Sequence, residues 1–320
     1  MKKIFFNIIF MLGVIAIMLF IGEGLLILKN KDMKNYDIEM WRYAKLLTQK
    51  SKNPVIGHEH RKNRQATLQS VQIRTNNFGM RGPNIDLDRS GERRILFLGS
   101  SLTLGWGVPE PETLPAILND RLGDRIEVVN AGVCNYNTTQ YVELFMTKLT
   151  VLNPTDIVLQ YFINDTEVLS PSQSNWLIRH SQFAITLWQI LNRVIKKNTE
   201  QDTLTYYKRL YQKNAPGYKA MLNALDRIKA YADEKKIRVY LLMSPDFYNL
   251  ADYQYEFIHR IMEQEASARG IFFIDLLSAF KGVTITKPQS LWVMPNDPHP
   301  NGKTNQLMAD YLLQNAYFAN

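Results

Sequence analysis

Four residues in this 320-residue chain have the types and settings that nucleophilic chemistry needs: Ser101, Gly132, Asn164 and His299. The first three each follow a short apolar run. Ile95 to Leu98 leads into Gly99-Ser100-Ser101-Leu102-Thr103, Ile126 to Val129 into Asn130-Ala131-Gly132, and Ile157 to Phe162 into Ile163-Asn164-Asp165. Ser101 supplies a hydroxyl nucleophile, Gly132 a backbone that a ligand can approach closely, and Asn164 an amide donor. The Ser101 N–H, the Gly132 N–H and the Asn164 amide would together form an oxyanion hole for a tetrahedral intermediate, as ester cleavage requires. A serine hydroxyl is a weak nucleophile without a base. His299 stands in Asn296-Asp297-Pro298-His299-Pro300-Asn301-Gly302, where two prolines stiffen the chain and an acidic neighbour can fix the imidazole tautomer.

These residues meet only if the chain folds so that the three runs end on one rim. Beyond about Arg93, apolar runs alternate with segments of helical period. Ile95 to Leu98 precedes Thr113 to Leu122, Ile126 to Val129 precedes Thr139 to Leu152, and Ile157 to Phe162 is the third run. The alternation resumes with a helix from Tyr218 to Tyr231, a run Ile237 to Met243, a helix from Tyr253 to Ala268, a run Ile271 to Ile274 and a last helix after Asn301. Strands alternating with helices predict an α/β fold, with a five-stranded parallel sheet covered on both faces. Ligands of such sheets bind beyond the carboxyl ends of the strands, where Ser101, Gly132 and Asn164 fall. An insertion at about 167–215 breaks the alternation. Within it Ala184, Leu187, Trp188, Leu191, Val194 and Ile195 recur at helical spacing, a stripe suited to core packing, to a lid or to lipid.

The string FLGSSLTLGWGV resembles the first block of the SGNH (GDSL-like) hydrolases, NAG at Gly132 the second, IND at Asn164 the third and DPHPN at His299 the last. RTNNFGMRGP upstream also resembles a lead-in of membrane-anchored members. The resemblance covers residues 93–306. It implies a flavodoxin-like three-layer α/β/α fold, no metal or other cofactor, and a Ser–His–Asp mechanism on esters, often acetyl groups of glycans, lipids or small molecules. Ser100 replaces the usual aspartate of the first block, a loss to the loop rather than to the chemistry. The family's acid stands three residues before the histidine, which here is Asn296, whereas Asp297 is two before. The expected acid is Asp297, turning to His299; the alternatives are that Asn296 orients the ring as a neutral partner or that the site is degenerate. The expected function is a serine esterase or acylhydrolase working through an acyl-enzyme. The alternatives are an envelope glycan O-acyltransferase, a non-catalytic SGNH-fold binding module, and a membrane-tethered scaffold.

Ahead of this domain, taken as 93–320, lie an anchor over 1–28 and a polar stalk and lead-in over 29–92. Lys2 and Lys3 precede an apolar run from Ile4 to Ile21, close to the length that crosses a bilayer, and no A-x-A cleavage signature follows. The chain is therefore expected to be a single-pass membrane protein held by an uncleaved anchor. Lys29, Lys31 and Lys34 outnumber the two lysines ahead of the run, which favours a cytoplasmic domain. The short basic head resembles a secretory n-region, and on that ground the domain is expected outside the cytoplasm, periplasmic or at the cell surface. A net charge of +8 is spread along the chain with no nucleic-acid-binding pattern, so the expected partners are an ester substrate and the membrane. Cys134 is the one cysteine, which rules out an internal disulfide. His58 and His60 lack a third ligand nearby and read as a solvated loop. The glycines at 99, 105 and 107 lack the lysine of a phosphate loop. His180 and His259 read as structural, and Ser244-Pro245-Asp246 as a strand-end turn or part of the cleft.

Overall fold

The computed structural model describes residues 2–88, 93–168, 180–196, 202–283, 285 and 287–318. The apolar N-terminal run forms one helix, α1, Lys2–Lys29. At about 1.5 Å per residue its 28 residues reach about 42 Å, more than the ~30 Å hydrocarbon core of a bilayer. It is long and apolar enough to serve as a membrane anchor or a signal sequence.

Residues 36–74, expected as a stalk, are folded instead. Helix α2 (Tyr36–Leu46) and the strands β1 (Thr48–Lys50), β2 (His58–His60), β3 (Gln65–Leu68) and β4 (Val71–Arg74) form a helix and two antiparallel hairpins. Tyr43 from α2 and Leu47 just after it bury with Ala66, Leu68 and Ile73 of the second hairpin against Leu104, Trp106 and Cys134 of the main domain. The hairpin alternates exposed and buried residues because only one of its faces is covered. A composition rich in charge concealed this packing, since few apolar residues suffice to dock so small a unit. His58 and His60, taken for a solvated pair, bond the Cys134 carbonyl and the Tyr43 hydroxyl at 2.9 and 2.6 Å.

The main domain follows the expected alternation. In order come β5 (Arg93–Gly99), α3 (Ser101–Leu104), α4 (Leu114–Leu122), β6 (Ile126–Gly132), α5 (Thr138–Leu144), β7 (Asp156–Tyr161), α6 (Gln182–Lys196), α7 (Thr203–Leu210) and α8 (Pro216–Lys235). Then follow β8 (Arg238–Met243), α9 (Glu256–Ala268), β9 (Phe272–Asp275), β10 (Trp292–Met294), β11 (Asp297–Pro300) and α10 (Gly302–Gln314). The sheet order is β6-β5-β7-β8-β9, all parallel, the flavodoxin-like arrangement. Alternate side chains of each strand point to opposite faces. Ile95 and Phe97 pack with α4 and α10 through Leu114, Leu118, Met308 and Leu312, while Leu96 and Leu98 pack with Tyr141, Met221, Leu225 and Ile258 on the other side. The helix expected over Thr139 to Leu152 is shorter: α5 runs into a π turn, Phe145–Leu149, and a 3₁₀ turn, Thr150–Leu152.

Candidate active site

Ser101 opens α3 directly after β5, so its backbone N–H is one of the donors a helix start leaves unbonded. Two glycines make this tight strand-to-helix turn possible. A Cβ on Gly99 would lie 2.1 Å from Thr103 Oγ1, and one on Gly132 would lie 2.2 Å from the Leu104 nitrogen. The other end of α3 is held by Arg81, from the RTNNFGMRGP lead-in. Its buried guanidinium donates to the carbonyls of Leu104 (2.8 Å), Gly105 (2.6 Å) and Val108 (2.7 Å). Burial lowers its pKa to about 10, which leaves it charged at neutral pH.

His299 lies on β11 of a small antiparallel hairpin with β10, where a stiff loop was expected. The strand resolves the departure in the acid's spacing. Residues two apart on a strand project to one side, so Asp297 and His299 stand together. Asp297 Oδ1 is 2.5 Å from His299 Nδ1 and also accepts the His299 backbone N–H at 3.2 Å. His299 Nε2 is 2.8 Å from Ser101 Oγ. Asn296 is exposed on the turn before the strand. Asp297 is 1% exposed. Burial raises its pKa, but the His299 hydrogen bond and charge and the Gln69 amide more than offset this, so the carboxyl titrates below the usual aspartate range.

Two contacts come from the N-terminal unit. Gln69 Nε2 donates to the second Asp297 oxygen at 2.6 Å, from 228 residues away. Gln69 is left-handed at φ 50 in the β3–β4 turn, and its backbone N–H donates to the buried Glu39 carboxylate at 2.8 Å. Glu39 is paired in turn with Arg42. Tyr36, the first residue of α2, stacks on the His299 ring with centroids 6.0 Å apart at 25°. A cleft of about 500 Å³ opens beside this hairpin, lined by Lys29, Asn30, Asp32, Lys34, Tyr36 and Asn296 among others.

The profile of the GDSL-like lipase/acylhydrolase family matches residues 97–307, about two thirds of the chain. The chain belongs to this family. It is accordingly a hydrolase of ester bonds. Solved structures similar to it include an α/β hydrolase from the metagenome of Lake Arreo, Spain, with 16% identity and a TM-score of 0.45 over 73% of this chain and 100% of that one. Another is the acetylxylan esterase Axe2 from Geobacillus stearothermophilus, with 17% identity and a TM-score of 0.46 over 71% of this chain and 95% of the other. No curated protein is detectably similar by sequence.

In this GDSL-like hydrolase the expected oxyanion donors fare differently. Asn164 lies just past β7, the strand paired with β5, and neither its side-chain amide nor the Ser101 N–H has a partner among the described residues. The Gly132 N–H, in contrast, donates to Asn130 Oδ1 at 3.0 Å, so this glycine serves the packing of α3. Three residues on, Asn135 is exposed and left-handed at φ 60, with its N–H unpartnered among the described residues. Sequence reading missed Gln69, Glu39 and Tyr36, which carry no local signal, and passed over Asn135, where the unpartnered N–H shows only in the structure. Ser244 is fully buried beneath the rim, bonded to Gln160 Nε2 at 3.2 Å rather than lining the cleft. His259 is structural, bridging Tyr253 and Asp275 at 2.7 and 2.8 Å.

Asp165, next to Asn164, accepts from Thr138 Oγ1 (3.0 Å) and Tyr141 OH (2.8 Å) on one oxygen, while the other is buried without a partner among the described residues. Burial pushes this carboxyl up to about 7 despite those bonds. An unfolded aspartate titrates near about 3.9, so between about pH 4 and pH 7 the folded chain holds a proton that the unfolded one has released. Stability contributed by this group falls as pH rises through that window and levels off above it. Asp165→Asn removes the titration at constant shape. The unfolding temperature of Asp165→Asn minus that of wild type is expected to grow from pH 5 to 7.5, and parallel curves would refute the shift.

Proposed function

We propose that the chain is a membrane-anchored serine esterase that forms an acyl-enzyme on Ser101. The observation that carries this reading is the unbroken hydrogen-bond line from Gln69 through Asp297 and His299 to the Ser101 hydroxyl. Ser101 Oγ attacks the ester carbonyl carbon while its proton passes to His299 Nε2. The resulting oxyanion is met by the Ser101 N–H and the Asn164 amide, with the Asn135 N–H in the place expected of Gly132. Each such donor contributes roughly 3–4 kcal/mol to the transition state. Collapse breaks the carbon–alkoxide bond, and the leaving alcohol takes the proton from His299. Water then repeats the sequence on the acyl-serine and releases the acid. Asp297 remains ionised throughout, holding the Nδ1–H tautomer and stabilising the imidazolium. The acyl group in this reading is small, an O-acetyl ester of a glycan, lipid or small molecule, and the domain lies outside the cytoplasm.

The test uses the full chain in detergent with p-nitrophenyl acetate and a fluorophosphonate. Hydrolysis that stops in step with one phosphonate adduct, mapped to the peptide of Ser101, is the expected result. Hydrolysis that survives full modification of Ser101, or an adduct elsewhere, would refute the acyl-enzyme.

A further inference from the structure

Leu187, Trp188, Ile190 and Leu191 stand exposed on α6, at 47%, 50%, 51% and 54% of their surface, whereas Ile185 is buried. The side chains of Val194 and Ile195, part of the expected stripe, lie outside the described residues. This helix begins against α1. The Glu23 carboxylate of α1 accepts the Ser181 hydroxyl at 2.7 Å and the backbone N–H groups of Gln182 at 2.8 Å and Phe183 at 2.9 Å. Asn30 Nδ2 donates to Gln182 Oε1 at 3.0 Å, and Gly22 faces the Phe183 ring, which a Cβ there would meet at 3.4 Å. A carboxylate in an apolar helix is costly to desolvate, and a helix N-terminus answers it with free N–H groups and positive dipole. Glu23 therefore ties the start of α6 to the C-terminal third of α1.

Helix α1 is apolar and exposed as well, with Phe20, Ile21 and Leu25 at 82%, 55% and 62% of their surface. One occupant that covers α1 along its length also reaches α6, because the two helices are joined at residues 22–30. We propose that α6 lies in the membrane interface beside α1, with Leu187, Trp188, Ile190 and Leu191 in the acyl-chain region. An amphipathic helix carrying a tryptophan on its apolar side suits that depth. Asn30 takes part both in the α1–α6 joint and in the lining of the cleft that it shares with Asn296 and with Tyr36, whose ring stacks on His299. The docked helix thus sets the mouth of the site at headgroup level, where esters carried on the membrane surface reach it directly.

The proposal rests on α1 spanning the bilayer, and its test separates the two. The full chain is reconstituted into phosphatidylcholine/phosphatidylglycerol vesicles with a nitroxide on Leu187→Cys or Leu191→Cys. Ile15→Cys in α1 and Lys219→Cys on the exposed side of α8 serve as references. Cys134 is fully buried, and the unsubstituted protein is the blank. Collision with oxygen relative to a water-soluble nickel chelate is expected to be several-fold higher at 187 and 191 than at 219, and close to that at 15. Water-like values at 187 and 191 beside a lipid-like value at 15 overturn the docking. Low collision with both reagents there, the mark of a protein partner or second copy, overturns it too. A water-like value at 15 overturns the span itself.

Discussion

Replacing Ser101 by alanine is expected to lower kcat/KM for an activated acetyl ester by about 10⁴–10⁶-fold, the range seen when a serine hydrolase loses its nucleophile. Among the described residues the hydroxyl bonds His299 Nε2 alone, at 2.8 Å, so its removal leaves the fold in place and the unfolding temperature little changed. The same variant should lose the fluorophosphonate adduct. His299→Ala is expected to cost about as much, and the double variant scarcely more, because nucleophile and base act as one unit. Comparable rates for Ser101→Ala and wild type would remove Ser101 from the reaction, whatever the geometry.

The next largest effect is expected at Asp297. Asp297→Asn should reduce kcat about 10⁴-fold, because an amide in this place favours the wrong imidazole tautomer and leaves the imidazolium without its counter-charge. Asn296→Ala should change little, since Asn296 is exposed and the 2.5 Å contact with His299 Nδ1 belongs to Asp297. Gln69→Leu, which removes a hydrogen bond to a charged group of about 1.5–3 kcal/mol, should fall between them. Rates measured side by side decide the matter, and a larger loss in Asn296→Ala than in Asp297→Asn would reverse the assignment. The pH dependence adds a check. Asp297 has its pKa depressed in the folded chain, so the stability it contributes is present above the unfolded value near about 3.9 and is lost as pH falls through the lower folded value. In Asp297→Asn this acid-side loss should shrink, as read from unfolding temperatures between pH 3 and 6.

The helix α6 bears on how such measurements are set up. If it docks on lipid, an ester carried in vesicles is the natural substrate format, and detergent replaces the surface against which Leu187, Trp188, Ile190 and Leu191 pack. Glu23, with Asn30, joins the anchor to the insertion.

Much of the architecture is legible along the chain because its signals are local. The runs at Ile95, Ile126, Ile157, Ile237 and Ile271 are short, apolar and separated by helical periods, which is enough to place strands in a parallel sheet and put Ser101 and Asn164 at one edge. The order of the motif blocks and the prolines around His299 are equally local. Asp297 is already the acid expected from the sequence, and what the Asp-Pro-His-Pro segment did not disclose is that it forms a strand, whose two-residue spacing puts both side chains on one side.

The remainder depended on tertiary contact. Residues 36–74 read as a stalk because their charge density hides the few apolar side chains that seat them on Trp106 and Cys134. Gln69 reaches Asp297 across 228 residues, held in a left-handed turn by Glu39, and no pattern of spacing encodes such a meeting. Gly132 illustrates the converse: its type and place suit an oxyanion donor, yet Asn130 takes its N–H and α3 packs too closely for any larger residue. Sequence periodicity determined which elements form and which ends of them meet, because those follow from backbone geometry and burial. Which hydrogen bond each group makes at that meeting was decided by the fold, because donors and acceptors far apart in the chain compete for the same partners only once they are packed together.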